Sequence, residues 1–247
     1  MNVIDAFWEE RNLGVTCYEI QMERSDTAES AADTLDRLEQ RQYMVVKIPS
    51  SRYDLVPLIQ SRGYAFIETA IALETNYRRM GYRPPVIPQR LQKICGRCSW
   101  GPMNEADLAQ LSKEIKKNIF KTDRIYIDPA FTKEQAAHRY DLWVKDLVKQ
   151  GHIPYKVELD QKIIGFFVDK PVAHKVYQGI LGGIYTEYED MGLGYVYDYA
   201  GFMSALERGM ERCVTSVSGN NPAILRLHTM FGAEVKELTY VFVKHNG

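Results

Sequence analysis

The chain has 247 residues, enough for one large domain or two small ones, each with a real core. Hydrophobic residues make up 45% and charged residues 26%, an ordinary soluble balance, and a formal net charge of −1 excludes a broad electrostatic footprint for nucleic acid or an anionic membrane. No apolar run approaches the roughly 18–20 residues that span a bilayer, and Met1–Asp5 lacks the basic and apolar regions of a signal peptide, so a cytoplasmic protein is expected.

In chain order, Tyr43–Glu74 reads as strand, short loop, helix, glycine and strand. Arg78–Pro88 then carries three prolines and a glycine in a short basic stretch, which neither a helix nor a central strand tolerates. This divides the chain into a small N-terminal unit (1–80), a linker (81–93) and a larger unit (94–247). The larger unit opens with Cys95–Trp100, which reads as a strand. Cys95 and Cys98 form a C-x-x-C pair. Structural zinc needs a second half-site, and a redox pair is expected at a helix N-terminus, so no metal is predicted.

Asn104 is placed to cap a helix from Glu105 to about Lys117, and Thr132 with Gln135 fits a capping box for a helix to about Lys149. Tyr155–Leu159 and Lys162–Val168 flank Asp160-Gln161 as a tight hairpin, and Val176–Tyr185 is a further strand. A helix from about Tyr195 to Arg212, a strand Cys213–Val217, a helix Pro222–Phe231 and a strand Val235–Lys244 complete the pattern. The order predicts an α+β fold with a mixed (α/β) sheet. The two units also echo each other. Tyr43–Glu74 lies over Arg212–Val243 without a gap, matching Val45 with Val214, Leu58 with Leu227, Gly63 with Gly232 and Glu68 with Glu237. A generic β-α-β unit with a glycine helix stop aligns in the same way, so the echo by itself leaves a partial internal copy as one of two readings.

Before the helix at Tyr195 lies Glu189-Asp190-Met191-Gly192-Leu193-Gly194. Glycines entering a helix N-terminus let free backbone N–H groups and the helix dipole meet an anion, although an ordinary tight turn fits as well. Downstream stand Val217, Asn221-Pro222-Ala223, His228 and Gly232. Loop, helix length and distal motif together resemble the GNAT superfamily of acyl-CoA N-acyltransferases. Asp123-Arg124-Ile125-Tyr126-Ile127-Asp128-Pro129, a Trp-containing helix and the N-terminal unit narrow the likeness to enzymes similar to TDP-fucosamine acetyltransferases.

That resemblance implies a GNAT fold with a partial GNAT-like N-terminal unit, and acetyl transfer from acetyl-CoA to a primary amine, such as a nucleotide-linked aminodeoxysugar. It implies that backbone groups of Gly183, Ile184 and Tyr185 pair with the pantetheine arm. Met191, Gly192, Leu193, Gly194 and Tyr195 would hold the pyrophosphate, with Asn221 on the cofactor side. His228 stands where the family usually has a tyrosine acid, and Asp123, Tyr126 and Asp128 lie on the acceptor side. Ile59 occupies the place matching His228 in the N-terminal copy, which is therefore expected to be structural. Glu189 replaces the usual Arg or Gln and, with Asp190, would repel a pyrophosphate. This departure keeps open a degenerate, non-catalytic binding protein. An acceptor that is a protein N-terminus, a lysine or a polyamine also stays open. The expected partner is a small-molecule amine, without nucleic acid or membrane, and a homodimer is left open.

Overall fold

The computed structural model describes residues 1–38 and 40–246. Among the described residues ten strands form one sheet: β1 (Asn2–Asp5), β2 (Cys17–Gln21), β3 (Tyr43–Pro49), β4 (Ala65–Asn76), β5 (Cys98–Pro102), β6 (Tyr155–Leu159), β7 (Lys162–Ala173), β8 (Val176–Ile184), β9 (Arg212–Ser218) and β10 (Ala233–His245). Their order is β1-β2-β3-β10-β4-β9-β8-β7-β6-β5. Two pairs, β2 with β3 and β8 with β9, are parallel, and the other seven are antiparallel. The predicted mixed α+β class is the one observed.

The helices are α1 (Trp8–Leu13), α2 (Ala28–Arg37), α3 (Val56–Ser61), α4 (Gln89–Cys95), α5 (Glu105–Ile115), α6 (Arg124–Ile127), α7 (Lys133–Lys149), α8 (Gly194–Glu207) and α9 (Pro222–Met230). Asn104 and Thr132 cap α5 and α7 through complete capping boxes. The β6–β7 turn places Asp160 and Gln161 at positive φ, 50° and 65°, as a two-residue hairpin requires. Two boundaries and one short helix differ from the sequence reading. Cys95 ends a helix, and the strand starts only at Cys98, because Gly96 follows the last helical turn. α8 stops at Glu207, since Gly209 turns the chain at φ 68°. The short helix α6, capped by Asp123, was read from sequence only as a motif.

The last strand of each half lies among the strands of the other: β10 sits between β3 and β4, and β4 sits between β10 and β9. The echo holds at the level of register. Thr239 pairs with Pro49, and Ala70 pairs with Ser218. Carrying Pro49 forward and Thr239 back by the offset that takes Tyr43 onto Arg212 produces the second. His245 with Tyr43 and Asn76 with Arg212 obey the same rule. Ala70 and Thr239, equivalent positions, pair with each other. Such self-complementary pairing is what a two-fold relation between exchanged strands demands. Gly63 and Gly232 both follow the helix at left-handed φ, 81° and 83°.

Both faces of the sheet are covered. On one, α2 and α3 bury Ala31, Leu35 and Ile59 against Ile20, Met44, Val46, Ile48 and Phe242, while α8 packs Val196, Ala200 and Phe202 beside Val157 and Ile164. On the other, α7 spans the two halves. Its Ala136 meets Tyr43, Val45 and Val241, and its Tyr140, Val144 and Leu147 meet Phe166 and Val168.

Candidate active site

β8 and β9 run together at only three positions, Val176–Arg212, Tyr177–Cys213 and Gln178–Val214. Beyond them β8 continues to Ile184 and β9 to Ser218, so the parallel ladder opens into a cleft. On the far side of β8, Gly179 opposes Asp169 and Leu181 opposes Val168, leaving Ile180 as a bulge. A bulge re-aims the backbone beside it. The Thr215 hydroxyl donates to the Gly179 carbonyl at 3.1 Å, at the point where the strands part.

A cavity of about 960 Å³ runs through this opening. Asp198, Phe202, His228 and Phe231 line it on the α8–α9 side, and Glu19, Lys47, Glu68, Arg124 and Trp143 on the α6–α7 side. Gly179, Ile180, Leu181 and Gly182 line it between them. Its stretch of β8 thus lies earlier than the predicted Gly183, Ile184 and Tyr185, which do not line it. Tyr185 donates its N–H to the Ile164 carbonyl at 2.8 Å, and its ring is buried in the α5–α7 core. Tyr197 reaches from α8 to the sheet, where its hydroxyl donates to the Phe166 carbonyl at 3.1 Å. A Cβ at Gly182 would lie 2.0 Å from that hydroxyl, so glycine is what lets the ring seat there.

The loop before α8 is a 3₁₀ turn, Thr186–Met191, that ends on Gly192 at φ 70°. No side chain caps α8. Met191 and Gly192 are exposed, whereas Leu193 and Tyr195 are buried, Tyr195 against Phe231. A Cβ on Gly194 would lie 2.6 Å from Leu227 Cδ1, so this glycine brings α8 close to α9. Glu189 is in an ion pair with Lys121, and Asp190 is exposed. The carboxylate expected to repel an anion is therefore partly neutralised by a cation that sequence spacing did not connect to it.

His228 lies on α9 with Nδ1 3.1 Å from Oδ2 of Asp198, a residue only 7% exposed on α8. A carboxylate can only accept, so the Nδ1 proton faces Asp198 and Nε2 is left to exchange a proton. Asp198 was not singled out from the sequence. Its position four residues past Gly194 puts it one turn into α8, facing α9, which becomes readable only once the two helices are known to pack. Asn221 lines the cavity, and its side chain caps α9 by accepting from Ile224 N–H at 3.1 Å.

Among the three predicted acceptor-side residues, Asp123 lines the cavity while capping α6. Tyr126 and Asp128 do not line it. The Tyr126 ring lies 3.8 Å from Lys133 Nζ. Asp128 is buried and accepts from His245 at 2.9 Å and from Ala130 N–H at 3.0 Å. Their surroundings are those of packing and turn residues.

A charge cluster that the sequence did not reveal forms the wall beside Asp123. Arg139 binds Glu9 at 2.6 Å, Lys47 binds Glu19 at 2.6 Å, and Arg124 reaches Glu19 at 3.3 Å. Burial pushes the Glu19 carboxyl up, but Arg124 and Lys47 outweigh it and hold it at about 2. Glu68, on β4, is 9% exposed and accepts from the Ser218 hydroxyl at 2.6 Å. Burial raises its pKa against the pull of Ser218 and Arg124.

No family model and no curated protein matches the sequence. Solved structures do. The chain is similar to a GCN5-related N-acetyltransferase from Sphaerobacter thermophilus, at 15% identity and TM-score 0.57 over 88% of this chain and 64% of that one. A tandem GNAT protein from the clavulanic acid biosynthesis pathway matches at 11% identity and TM-score 0.57, covering 94% and 75%. The chain has the GNAT fold. A GCN5-related N-acetyltransferase from Kribbella flavida aligns at 12% identity and TM-score 0.54, covering 94% and 82%. The tandem neighbour fits the two-unit arrangement. Cys95 is buried at the end of α4 and Cys98 opens β5; among the described residues no group of His, Cys, Asp or Glu gathers that could hold a metal. No helix of the described residues is long and apolar enough to cross a membrane.

Proposed function

We propose that the chain is an N-acyltransferase that moves an acetyl group from acetyl-CoA to a small primary amine. The observation that carries this reading is the cavity through the β8–β9 opening, which joins the α8–α9 side to the α6–α7 side. An acyl donor approaching from the first side and an amine from the second meet within the sheet. The uncapped N-terminus of α8 after Gly192 leaves backbone N–H groups for a pyrophosphate, and Lys121 offsets Glu189 there. Backbone N–H groups near the Ile180 bulge are the candidates for stabilising the oxyanion.

Acetyl-CoA supplies an activated thioester. His228 donates a proton from Nε2 to the departing thiolate, and Asp198 orients the ring and balances its charge. The acceptor side is walled by Trp143, Tyr140 and Trp8, aromatic faces suited to stacking on a sugar ring or base. This supports an aminodeoxysugar, including a nucleotide-linked one, as the first acceptor class to screen.

Calorimetric titration with acetyl-CoA tests the reading. Micromolar binding is expected, with loss in Gly192→Asp, which adds a negative charge at the loop. No binding up to millimolar acetyl-CoA overturns the transferase reading.

A further inference from the structure

An amine acceptor is an ammonium ion at neutral pH and must lose a proton before its nitrogen can attack. The cavity wall holds several carboxylates, and their partners separate them. Glu19 is locked to Lys47 and Arg124, Asp146 to Arg11 and Asp169 to Arg208, and Asp198 faces His228. Asp123 spends both oxygens on the N–H groups of Ile125 and Tyr126. Glu68 forms no ion pair among the described residues, and its one hydrogen bond comes from Ser218. It is nonetheless buried and lines the cavity.

Strand exchange is what brings it there. Glu68 belongs to β4, yet β4 runs beside β9, where Ala70 opposes Ser218 at the end of the opened strand. Its echo partner Glu237, on β10, is half-buried and paired with Arg24 at 3.1 Å, away from any cleft. The same sequence position is thus an ordinary ion-pair residue in one half and, in the other, a carboxylate beside the cleft with no ion pair among the described residues.

We propose that Glu68 receives the protonated amine of the acceptor and takes its proton. This rests on the acyl-transfer reading above. The carboxylate accepts one proton from R–NH3⁺ and releases it to solvent. The freed nitrogen pair adds to the thioester carbon, and the C–S bond breaks with its electrons on sulfur. His228 protonates that sulfur and is recharged by the second proton that nitrogen loses on becoming an amide. The net change is one proton released per amide formed. The substrate class that follows is a primary amine basic enough to be charged in solution.

The test compares two small acceptors in the full chain: ethanolamine, an ammonium ion at neutral pH, and hydroxylamine, which is already neutral. Gln is isosteric with Glu and can still accept from Ser218, so Glu68→Gln removes the base and keeps the packing. The expected result is a loss of ~10²-fold or more in kcat/KM for ethanolamine, less than about threefold for hydroxylamine, and unchanged acetyl-CoA binding. An equal loss with both acceptors, or no loss with either, overturns the assignment. If the wild-type chain binds acetyl-CoA but acetylates neither these amines nor an aminodeoxysugar, the transfer reading itself falls, and the assignment with it. Ser218→Ala gives a second arm that does not depend on Glu68→Gln folding. Losing the Ser218 hydrogen bond raises the carboxyl pKa, so the acid limb of the ethanolamine pH profile moves to higher pH. An unmoved limb overturns the role of Glu68.

Discussion

β2 and β3 stay paired over five positions from Cys17–Tyr43 to Gln21–Lys47, whereas their counterparts β8 and β9 part after three. The contrast extends to each following element. α2 starts with a Thr27–Ser30 capping box that satisfies the N–H groups of Thr27 and Ser30, while α8 starts uncapped, with Gly192 before it and Gly194 as its first residue. At the matched position before the helix-stop glycine, one half has Ile59, fully buried in core, and the other has His228 at the cavity. One topology therefore supports a sealed unit and an open one. The difference lies in whether backbone polar groups are satisfied internally or left for a ligand.

The comparison breaks most visibly at its paired side chains. His228→Gln is expected to lower acetyl transfer by ~10²-fold or more with little change in acetyl-CoA affinity, and Asp198→Asn by a smaller factor, both read as kcat against calorimetric Kd. The matching change in the sealed half, Ile59→Ala, should leave the chemistry intact and cost ~2–5 kcal/mol of stability in urea melts, because it opens a core cavity. A loss of turnover in Ile59→Ala beyond that explained by unfolding counts against a purely structural first half.

Acid sensitivity sharpens the same contrast. Glu19 is held at about 2, below its ordinary 4.5, so its ion-pair contribution is present above that ordinary value and is lost as pH falls toward about 2. Thermal melts should show stability falling across that window. Lys47→Met, which removes one cation beside Glu19, should move the loss to higher pH. The smallest effect is expected at the anion loop. Glu189→Gln frees Lys121 and removes a negative charge, so acetyl-CoA binding should tighten a few-fold, less so at high salt.

Much of the second half was legible because its signals are local. Capping residues, the Asp160-Gln161 turn and the glycines before α8 act within a few residues of themselves. The echo was legible too, down to an offset that the strand registers obey. Juxtapositions that depend on strand order were not. Nothing near Glu68 in sequence says that it will sit beside Ser218, because β4 pairs with β9 only after the last strands have changed places. Lys121 and Glu189 likewise meet only in three dimensions, as do Asp198 and His228. Gly183 and Ile184 do lie in the stretch of β8 that has parted from β9, but the residues of that stretch that line the cavity are Gly179–Gly182, beside an Ile180 bulge that has no sequence signature here.

The exchange of β4 and β10 also bears on how the chain is made. While the ribosome is still producing the second half, β3 has no β10 to flank it, and the nearest strand available is β4, its own neighbour in sequence. A nascent chain that zips β4 directly onto β3 satisfies the same backbone groups with far less loop to close. The native sheet requires that shortcut to be avoided or undone when residues 233–245 emerge, which makes late insertion of the final strand the expected bottleneck of biogenesis.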